Sequence, residues 1–190
     1  MQEKIKAEIK ESLEAKNLVL KQLVPQIEQA AKMMIAALKN GNKILFLGNG
    51  GSAADSQHLA AELVGRFRQE RRALSAIALT TDTSILTAIG NDYSFDQIFA
   101  RQIEGLANSG DVVVGLSTSG NSKNVIIALE KARELGCKSI GLLACDGGRI
   151  AGLVDLALTI PCKNTPRAQE SHIMIGHILC SMVEQELFPA

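Results

Sequence analysis

The sequence has no tryptophan and a single tyrosine, and aromatic residues make up only 3% of its 190 residues. Proteins that bind single-stranded nucleic acids commonly stack bases on aromatic side chains. Lysine and arginine together number 20, as do aspartate and glutamate, so the formal net charge is zero. Without an excess of positive charge or aromatic platforms, binding to nucleic acid is not expected as the main task.

Long apolar segments are also missing. No apolar run approaches the roughly 18 residues that cross a membrane, and the first ten residues mix charged and apolar side chains instead of forming the core of a signal peptide. The cysteines lack the C-x-x-C spacing of metal sites, which favours reduced thiols. They are Cys137, Cys145, Cys162 and Cys180. We expect a cytoplasmic protein that does not contact membranes.

Short apolar runs alternate with helical patterns along the chain, which predicts an α/β fold. Strands are predicted at residues 43–47, 75–79, 111–116, 138–144 and 156–161. These runs are apolar throughout, as in a parallel sheet that helices cover on both faces. No linker or repeat interrupts them, so residues 1–190 are predicted to form one domain, a three-layer sandwich with a central parallel sheet.

Two helices are predicted ahead of the first strand, at residues 1–24 and 26–38, with Pro25 between them. They lie outside any strand–helix repeat, so their apolar faces could cap the sheet or pack against another subunit. We expect residues 1–40 to form a helical extension that is used in oligomerisation.

Residues 48–62 (GNGGSAADSQHLAAE) join the first strand to an alanine-rich helix. A glycine turn before a helix presents free backbone N–H groups, and the helix dipole favours an anion there. Ser52 is expected to cap this helix and to add its hydroxyl to the cradle. His58 and Glu62 lie four residues apart and share a helix face. Together these features indicate chemistry on a phosphorylated substrate.

A second polar loop, residues 117–122 (STSGNS), follows the third strand. It could be no more than a capped turn, since serine and threonine favour such positions. Four hydroxyls in six residues exceed what a cap needs, so phosphate binding is favoured. The spacing Gly48-x-Gly50-x-x-Ala53 also matches a dinucleotide fingerprint, but no acidic residue ends the second strand, which disfavours NAD.

Several polar residues are expected to have structural roles. The charged segment 66–72 is interpreted mainly as a solvated connection, and Asn91-Asp92 as a turn. Asp82 is expected to take part in a helix cap. His172 lies five residues before His177, on another helix face, and is interpreted as structural.

Four motifs together resemble the sugar isomerase (SIS) domain family and, within it, the isomerases of sedoheptulose 7-phosphate. They are residues 48–58 (GNGGSAADSQH), 90–92 (GND), 117–122 (STSGNS) and 167–177 (RAQESHIMIGH). The resemblance covers nearly the whole chain. It implies an aldose–ketose isomerase that forms D-glycero-D-manno-heptose 7-phosphate, the first step in making bacterial heptose precursors for lipopolysaccharide or capsule. It also implies a homotetramer with active sites at subunit contacts.

The resemblance also implies roles for individual residues. Those implied to contact the sugar phosphate are Asn49, Gly50, Gly51, Glu62, Asn91, Asp92, Ser117, Thr118, Ser119, Ser122 and Gln169, and the capping argument adds Ser52. Glu62 and His177 are implied as the acid/base pair, with His177 assigned as base at carbon and Glu62 as acid at oxygen. One zinc ion per subunit is implied, with His58, Glu62, Gln169 and His177 as ligands.

Two questions stay open at this level. A histidine nitrogen bound to zinc cannot also accept a proton, so either a ligand leaves the metal during turnover or the metal itself polarises the carbonyl. The chain also resembles a non-catalytic SIS protein that binds the replication initiator, which by resemblance lacks the pair that Glu62 and His177 form. Arabinose 5-phosphate isomerases usually carry an added regulatory module, for which 190 residues leave no room.

Overall fold

The computed structural model describes residues 1–189, and its centre is a single sheet of five parallel strands. The strands are β1 Ile44–Gly48, β2 Ala76–Ala78, β3 Val112–Ser117, β4 Lys138–Ala144 and β5 Leu156–Ile160. They lie side by side in the order β2-β1-β3-β4-β5. The predicted parallel sheet is therefore confirmed, and the strand bounds agree with the predicted ones to within one residue.

Eight α-helices accompany the strands within residues 1–189. They are α1 Gln2–Gln22, α2 Val24–Lys39, α3 Gly51–Val64, α4 Thr83–Asp92, α5 Ala100–Leu106, α6 Lys123–Glu134, α7 Gly148–Ala151 and α8 Thr165–Leu187. None is long and apolar enough to cross a membrane. A 3-10 turn at Phe95–Gln97 precedes α5.

Prolines mark the first turns of two of these helices. Pro25 lies in the first turn of α2, and the break from α1 falls at Leu23. Pro166 likewise lies in the first turn of α8. Proline is tolerated there because the first N–H groups of a helix have no partner within the helix.

Both faces of the sheet are buried under helices. Alternate strand residues such as Phe46 and Val114 pack with α2, α3 and α8 on one face. Their neighbours Leu45 and Val113 pack with α5 and α6 on the other face. Since successive side chains of a strand point to opposite faces, a strand covered on both sides must be apolar throughout. The predicted three-layer sandwich is confirmed.

The two leading helices differ in how they are used. α2 buries six residues, among them Ile27 and Met34, and packs on α8, so it helps to cap the sheet. α1 buries only Ala15 and Val19. Its apolar residues Ile5, Ile9 and Leu13, which follow one another at helical spacing, are 52%, 55% and 56% exposed.

The strand order creates a crevice at the carboxyl ends of the strands β1 and β3. From β1 the chain passes through α3 to β2, and it then returns to β3 on the other side of β1. Gly48 pairs with Leu116, so the loops that follow β1 and β3 emerge beside each other. Open α/β sheets bind ligands at such a reversal of strand order, outside the carboxyl ends of the strands.

Candidate active site

The glycine loop after β1 starts α3 differently from the prediction. Gly50, with φ of 57°, is the N-cap, and no side chain caps the helix. Ser52 is already inside the first turn and is only 4% exposed. The prediction that Ser52 caps α3 is therefore wrong, because a glycine at positive φ begins the helix two residues earlier. The argument for a substrate contact by Ser52 falls with it.

Gly51 brings the far end of the chain to this loop. A Cβ atom at this position would lie 2.6 Å from Nε2 of Gln169, so the α8 side chain can rest here only because residue 51 is glycine. Two residues implied to contact the sugar, 118 positions apart in the sequence, are thus neighbours at the start of α3.

The loop 117–122 gathers several hydroxyl groups. Ser117 Oγ lies 3.0 Å from Ser122 Oγ and 3.5 Å from Ser119 Oγ. Ser122 is the N-cap of α6, but its side chain makes no capping hydrogen bond. The hydroxyl that a capped turn would use on the backbone is turned towards Ser117 instead. The capped-turn interpretation accounts for Ser119, whose Oγ accepts a 3.2 Å hydrogen bond from Asn121 N, but not for Ser122. Phosphate binding by this cluster stays a prediction.

Two contacts hold this loop in place. Gly120 has φ of 62°, and a Cβ there would overlap the carbonyl oxygen of Gly147. Ile150 N donates a hydrogen bond of 3.0 Å to Gly120 O, so the segment after β4 supports the loop. On the other side, the amides of Asn49 and Asn124 exchange two hydrogen bonds of 2.9 Å and join the glycine loop after β1 to the first turn of α6.

Three potential metal ligands or acid/base groups meet between α3 and α8. His58 Nε2 lies 3.1 Å from Glu62 Oε1 and 2.9 Å from His177 Nε2. One donor atom from each residue lies within 4.8 Å of the others. The ring of Phe67 packs against His177 with 5.8 Å between centroids. The structure thus joins a helix face predicted from local spacing to a histidine 119 positions away.

Comparisons with known proteins identify the family of the chain. The sequence profile described as "SIS domain" matches residues 7–144. A phosphoheptose isomerase of Geotalea daltonii is 60% identical over 188 residues, which span 99% of this chain and 98% of that protein. Solved structures of phosphoheptose isomerases from Neisseria gonorrhoeae and Francisella tularensis are 48% and 40% identical, with TM-scores of 0.93 and 0.94. Each alignment covers 97% of this chain and 98% of the other.

The chain belongs to the phosphoheptose isomerases of the SIS domain family.

The three grouped residues suit the zinc ion that the phosphoheptose isomerase resemblance implies. Two imidazole nitrogens and one carboxylate form a donor set of catalytic zinc sites, which keep a further position open. The facing Nε2 atoms of His58 and His177 need a proton or a cation between them, because two lone pairs repel at 2.9 Å. Gln169 lies beside Gly51 at the start of α3, and its role as a ligand stays a prediction.

Asp55 is a residue of this site that the sequence analysis missed. It is half-buried on α3, and its Oδ2 atom is buried without a hydrogen-bond partner. Burial raises the pKa of Asp55, opposed by the charges of His58 and His177 nearby. The signal was present in the spacing, because Asp55, His58 and Glu62 recur on one face at intervals of three and four.

The GND motif, residues 90–92, lies at the end of α4. Asn91 and Asp92 are not a turn, as predicted, but the last two residues of α4, and both are exposed. Their side chains hydrogen-bond to each other at 2.8 Å. The turn prediction is wrong because α4 continues past Gly90. Their contact with the sugar phosphate stays a prediction.

Two structural assignments are confirmed. Asp82 is the N-cap of α4, and its Oδ1 accepts a 2.9 Å hydrogen bond from Ile85 N. His172 is fully buried, with Nε2 2.9 Å from Leu143 O. Burial lowers the pKa of His172, and the hydrogen bond to Leu143 only partly opposes this. His172 is therefore a neutral core histidine.

The interpretation of segment 66–72 as a solvated connection is wrong for Arg71. Its side chain is 1% exposed and forms a 3.0 Å ion pair with Glu184, which is 2% exposed. A buried carboxylate more than 100 residues away could not be inferred from the local charge pattern. The prediction of reduced thiols is confirmed, since all four cysteines are free.

Proposed function

We propose that this chain is an aldose–ketose isomerase that converts sedoheptulose 7-phosphate to D-glycero-D-manno-heptose 7-phosphate. The observation that carries the proposal is the meeting of His58, Glu62 and His177 between α3 and α8. Membership of the phosphoheptose isomerase family supports the substrate class.

The phosphate end of the substrate is proposed to bind at the start of α6. Ser117, Thr118, Ser119 and Ser122 offer hydroxyls there, and the free N–H groups of the helix add positive potential. The sugar then extends past Asn49–Gly51 and Gln169 towards the grouped histidines. The Asn49–Asn124 amide pair supports this division, because it holds the glycine loop against the start of α6.

The proton transfers can be carried by two residues. His177 removes a proton from C1 of the ketose while Glu62 donates one to the carbonyl oxygen at C2, which forms an ene-diol. Glu62 then takes the proton of the C1 hydroxyl, and His177 returns its proton to C2. His58 lies between the two groups, within 3.1 Å of each, and holds both in position.

Zinc is proposed to be held by His58, Glu62 and His177, with Gln169 as the fourth ligand by resemblance. Because a zinc-bound nitrogen cannot accept a proton, the base role of His177 requires that its side chain be free of the metal during proton transfer. When bound, it would polarise the carbonyl and stabilise negative charge on the ene-diolate oxygens. The donor set on α3 and α8 supports the proposal.

We further propose a cytoplasmic homotetramer that acts in heptose precursor synthesis. The exposed row Ile5, Ile9 and Leu13 on α1 supports assembly, because contiguous exposed apolar residues commonly mark protein contacts. An apolar groove between α2 and α8, lined in part by Ile35 and Met182, adds to that surface. A tetramer with sites at subunit contacts would also bring the exposed Asn91 and Asp92 to a neighbouring crevice.

The test is direct conversion of substrate. Purified protein is incubated with sedoheptulose 7-phosphate, with and without chelator, and the aldoheptose 7-phosphate is followed by NMR. Glu62→Gln and His177→Gln are expected to slow turnover by at least about 100-fold while the chain stays folded. Wild-type rates in both variants would refute the proposed roles. A wild-type protein that binds the replication initiator and converts no heptose phosphate would favour the non-catalytic alternative.

A further inference from the structure

Glu184 is a buried carboxylate that lies outside the proposed chemistry. Its oxygens accept hydrogen bonds from three consecutive backbone N–H groups, at 3.1 Å from Phe67, 2.8 Å from Arg68 and 3.0 Å from Gln69. Arg71 Nε adds a fourth, at 3.0 Å. The carboxylate on α8 thereby holds residues 67–71 of the segment that follows α3.

Arg71 uses the rest of its guanidinium to close the end of α3. Nη2 donates to Glu62 O at 2.8 Å, and Nη1 donates to Leu63 O at 2.9 Å and to Gly65 O at 3.2 Å. The last carbonyls of a helix have no partners within the helix, and these bonds supply donors to them. Leu63 O also accepts a 3.1 Å bond from Leu74 N. The residue whose carbonyl accepts the shortest of these bonds is the proposed acid.

The same unit reaches the proposed base. Glu184 follows His177 by seven residues, or two helical turns, so both lie on one face of α8. Phe67, whose N–H is bound by Glu184, packs its ring against His177. The unit thus touches α3 at Glu62 and α8 at His177, the two helices between which the site is divided.

We infer that Glu184 and Arg71 are positioning residues, which set the distance between Glu62 on α3 and His177 on α8. This inference rests on the proposed function. Both side chains are almost fully buried, so water cannot replace a lost contact. Replacement of Glu184 weakens the acceptor for Arg71 Nε and for three backbone N–H groups, and replacement of Arg71 removes the donors at the end of α3. In either case the end of α3 is expected to move relative to α8.

Glu184 is ionised at neutral pH, as its role as a hydrogen-bond acceptor requires. Burial alone would raise the pKa of Glu184, but the hydrogen bonds from Arg68, Gln69, Phe67 and Arg71 outweigh it and hold the pKa below its usual value. Glu184 is therefore an acceptor on both oxygens. An amide in its place has one oxygen, and its NH₂ group would face donors.

The experiment compares Glu184→Gln with a matched control, Asp111→Asn. Asp111 is also a fully buried carboxylate, which accepts from the N–H groups of Lys43 and Asn108 and pairs with the Lys43 ammonium. It lies just before the central strand β3, at the amino ends of the strands, whereas the site lies at their carboxyl ends. Both variants lose one buried charge, and only one of them touches the positioning unit.

Glu184→Gln is expected to lower kcat for sedoheptulose 7-phosphate by about 10- to 100-fold, with a smaller change in KM. Asp111→Asn is expected to keep kcat within about two-fold in the folded protein. Arg71→Lys, a milder change, is expected to lower kcat in the same way, because one ammonium cannot reach Glu184 and three carbonyls together.

A second readout does not depend on turnover. The chain has only three histidines, so their ring signals can be followed separately by NMR. Glu184→Gln is expected to shift the signals of His58 and His177 and to leave those of the core His172 unchanged. Asp111→Asn is expected to shift none of them.

The outcomes separate this inference from the proposed function. Wild-type kcat and wild-type histidine signals in folded Glu184→Gln or Arg71→Lys would overturn the inference. An equal loss of kcat in Asp111→Asn would also overturn it, because the effect would then be general destabilisation. An inactive wild-type protein would overturn the proposed function, while the histidine signals would still decide whether the unit positions them.

Discussion

Replacing Ser122 by alanine tests whether the hydroxyl loop binds phosphate or only caps a helix. Ser122 is the N-cap of α6, yet its side chain contacts Ser117 Oγ at 3.0 Å and no backbone N–H. Loss of a working cap costs about 1 kcal/mol. Since no such bond exists here, Ser122→Ala is expected to lower the free energy of unfolding by less than about 1 kcal/mol, the net value of one neutral hydrogen bond.

The effect on substrate should be much larger. A hydrogen bond to a charged group contributes about 1.5–3 kcal/mol, and each 1.4 kcal/mol corresponds to about a ten-fold change in affinity. KM for sedoheptulose 7-phosphate is therefore expected to rise by about 10- to 100-fold. Because the phosphate lies away from the reacting carbons, kcat is expected to change less.

Initial rates over a range of substrate concentrations and urea unfolding check both parts. Asp82→Ala is the matched control, because the Asp82 side chain does cap its helix and accepts from Ile85 N at 2.9 Å. It should lose about 1 kcal/mol of stability and keep KM. If Ser122→Ala instead lost as much stability as the control and kept its KM, the hydroxyl would be a cap, and the phosphate assignment would be wrong.

Three other predictions follow from the site and its supports. Removal of metal by chelator should lower kcat at least about ten-fold, and added zinc should restore it, as rates and metal analysis would show. His172→Gln should lose less stability than the wild type on acidification, measured by urea unfolding between pH 7 and 5. The lowered pKa keeps native His172 neutral, so the unfolded chain binds a proton that the native chain does not once pH falls below about 6.5. Gly120→Ala should lower the free energy of unfolding by about 1–3 kcal/mol or more, because φ at this position is 62° and a Cβ would overlap Gly147 O.

For each of these three predictions, a specific result would contradict the reasoning. Full activity in protein shown to be metal-free would refute a catalytic zinc. Parallel acid curves for His172→Gln and the wild type would mean that His172 is not the group that titrates. Gly105→Ala, where a Cβ meets nothing within 4 Å inside α5, should be neutral or stabilising. An equal loss of stability at both glycines would show that backbone freedom at Gly120 is not the cause.

Local patterns were sufficient for most of the fold. The apolar strands predicted a covered parallel sheet because side chains of both faces are buried, and Phe46 and Leu45 do pack on opposite faces. Asp82 was recognisable as a cap because capping depends on residues only three positions apart. Ser52 failed the same test because a glycine two residues earlier took the N-cap position.

What the sequence determined by itself, then, is local: the sheet, the two polar loops, and the helix face that His58 shares with Glu62. Tertiary structure decided which distant groups meet. The 2.9 Å approach of His177 to His58, the placement of Gln169 against Gly51, and the burial of Arg71 on Glu184 all depend on how α8 crosses α3. That crossing is set by packing over the whole apolar face of the sheet, to which residues from every part of the chain contribute, so no local spacing encodes it.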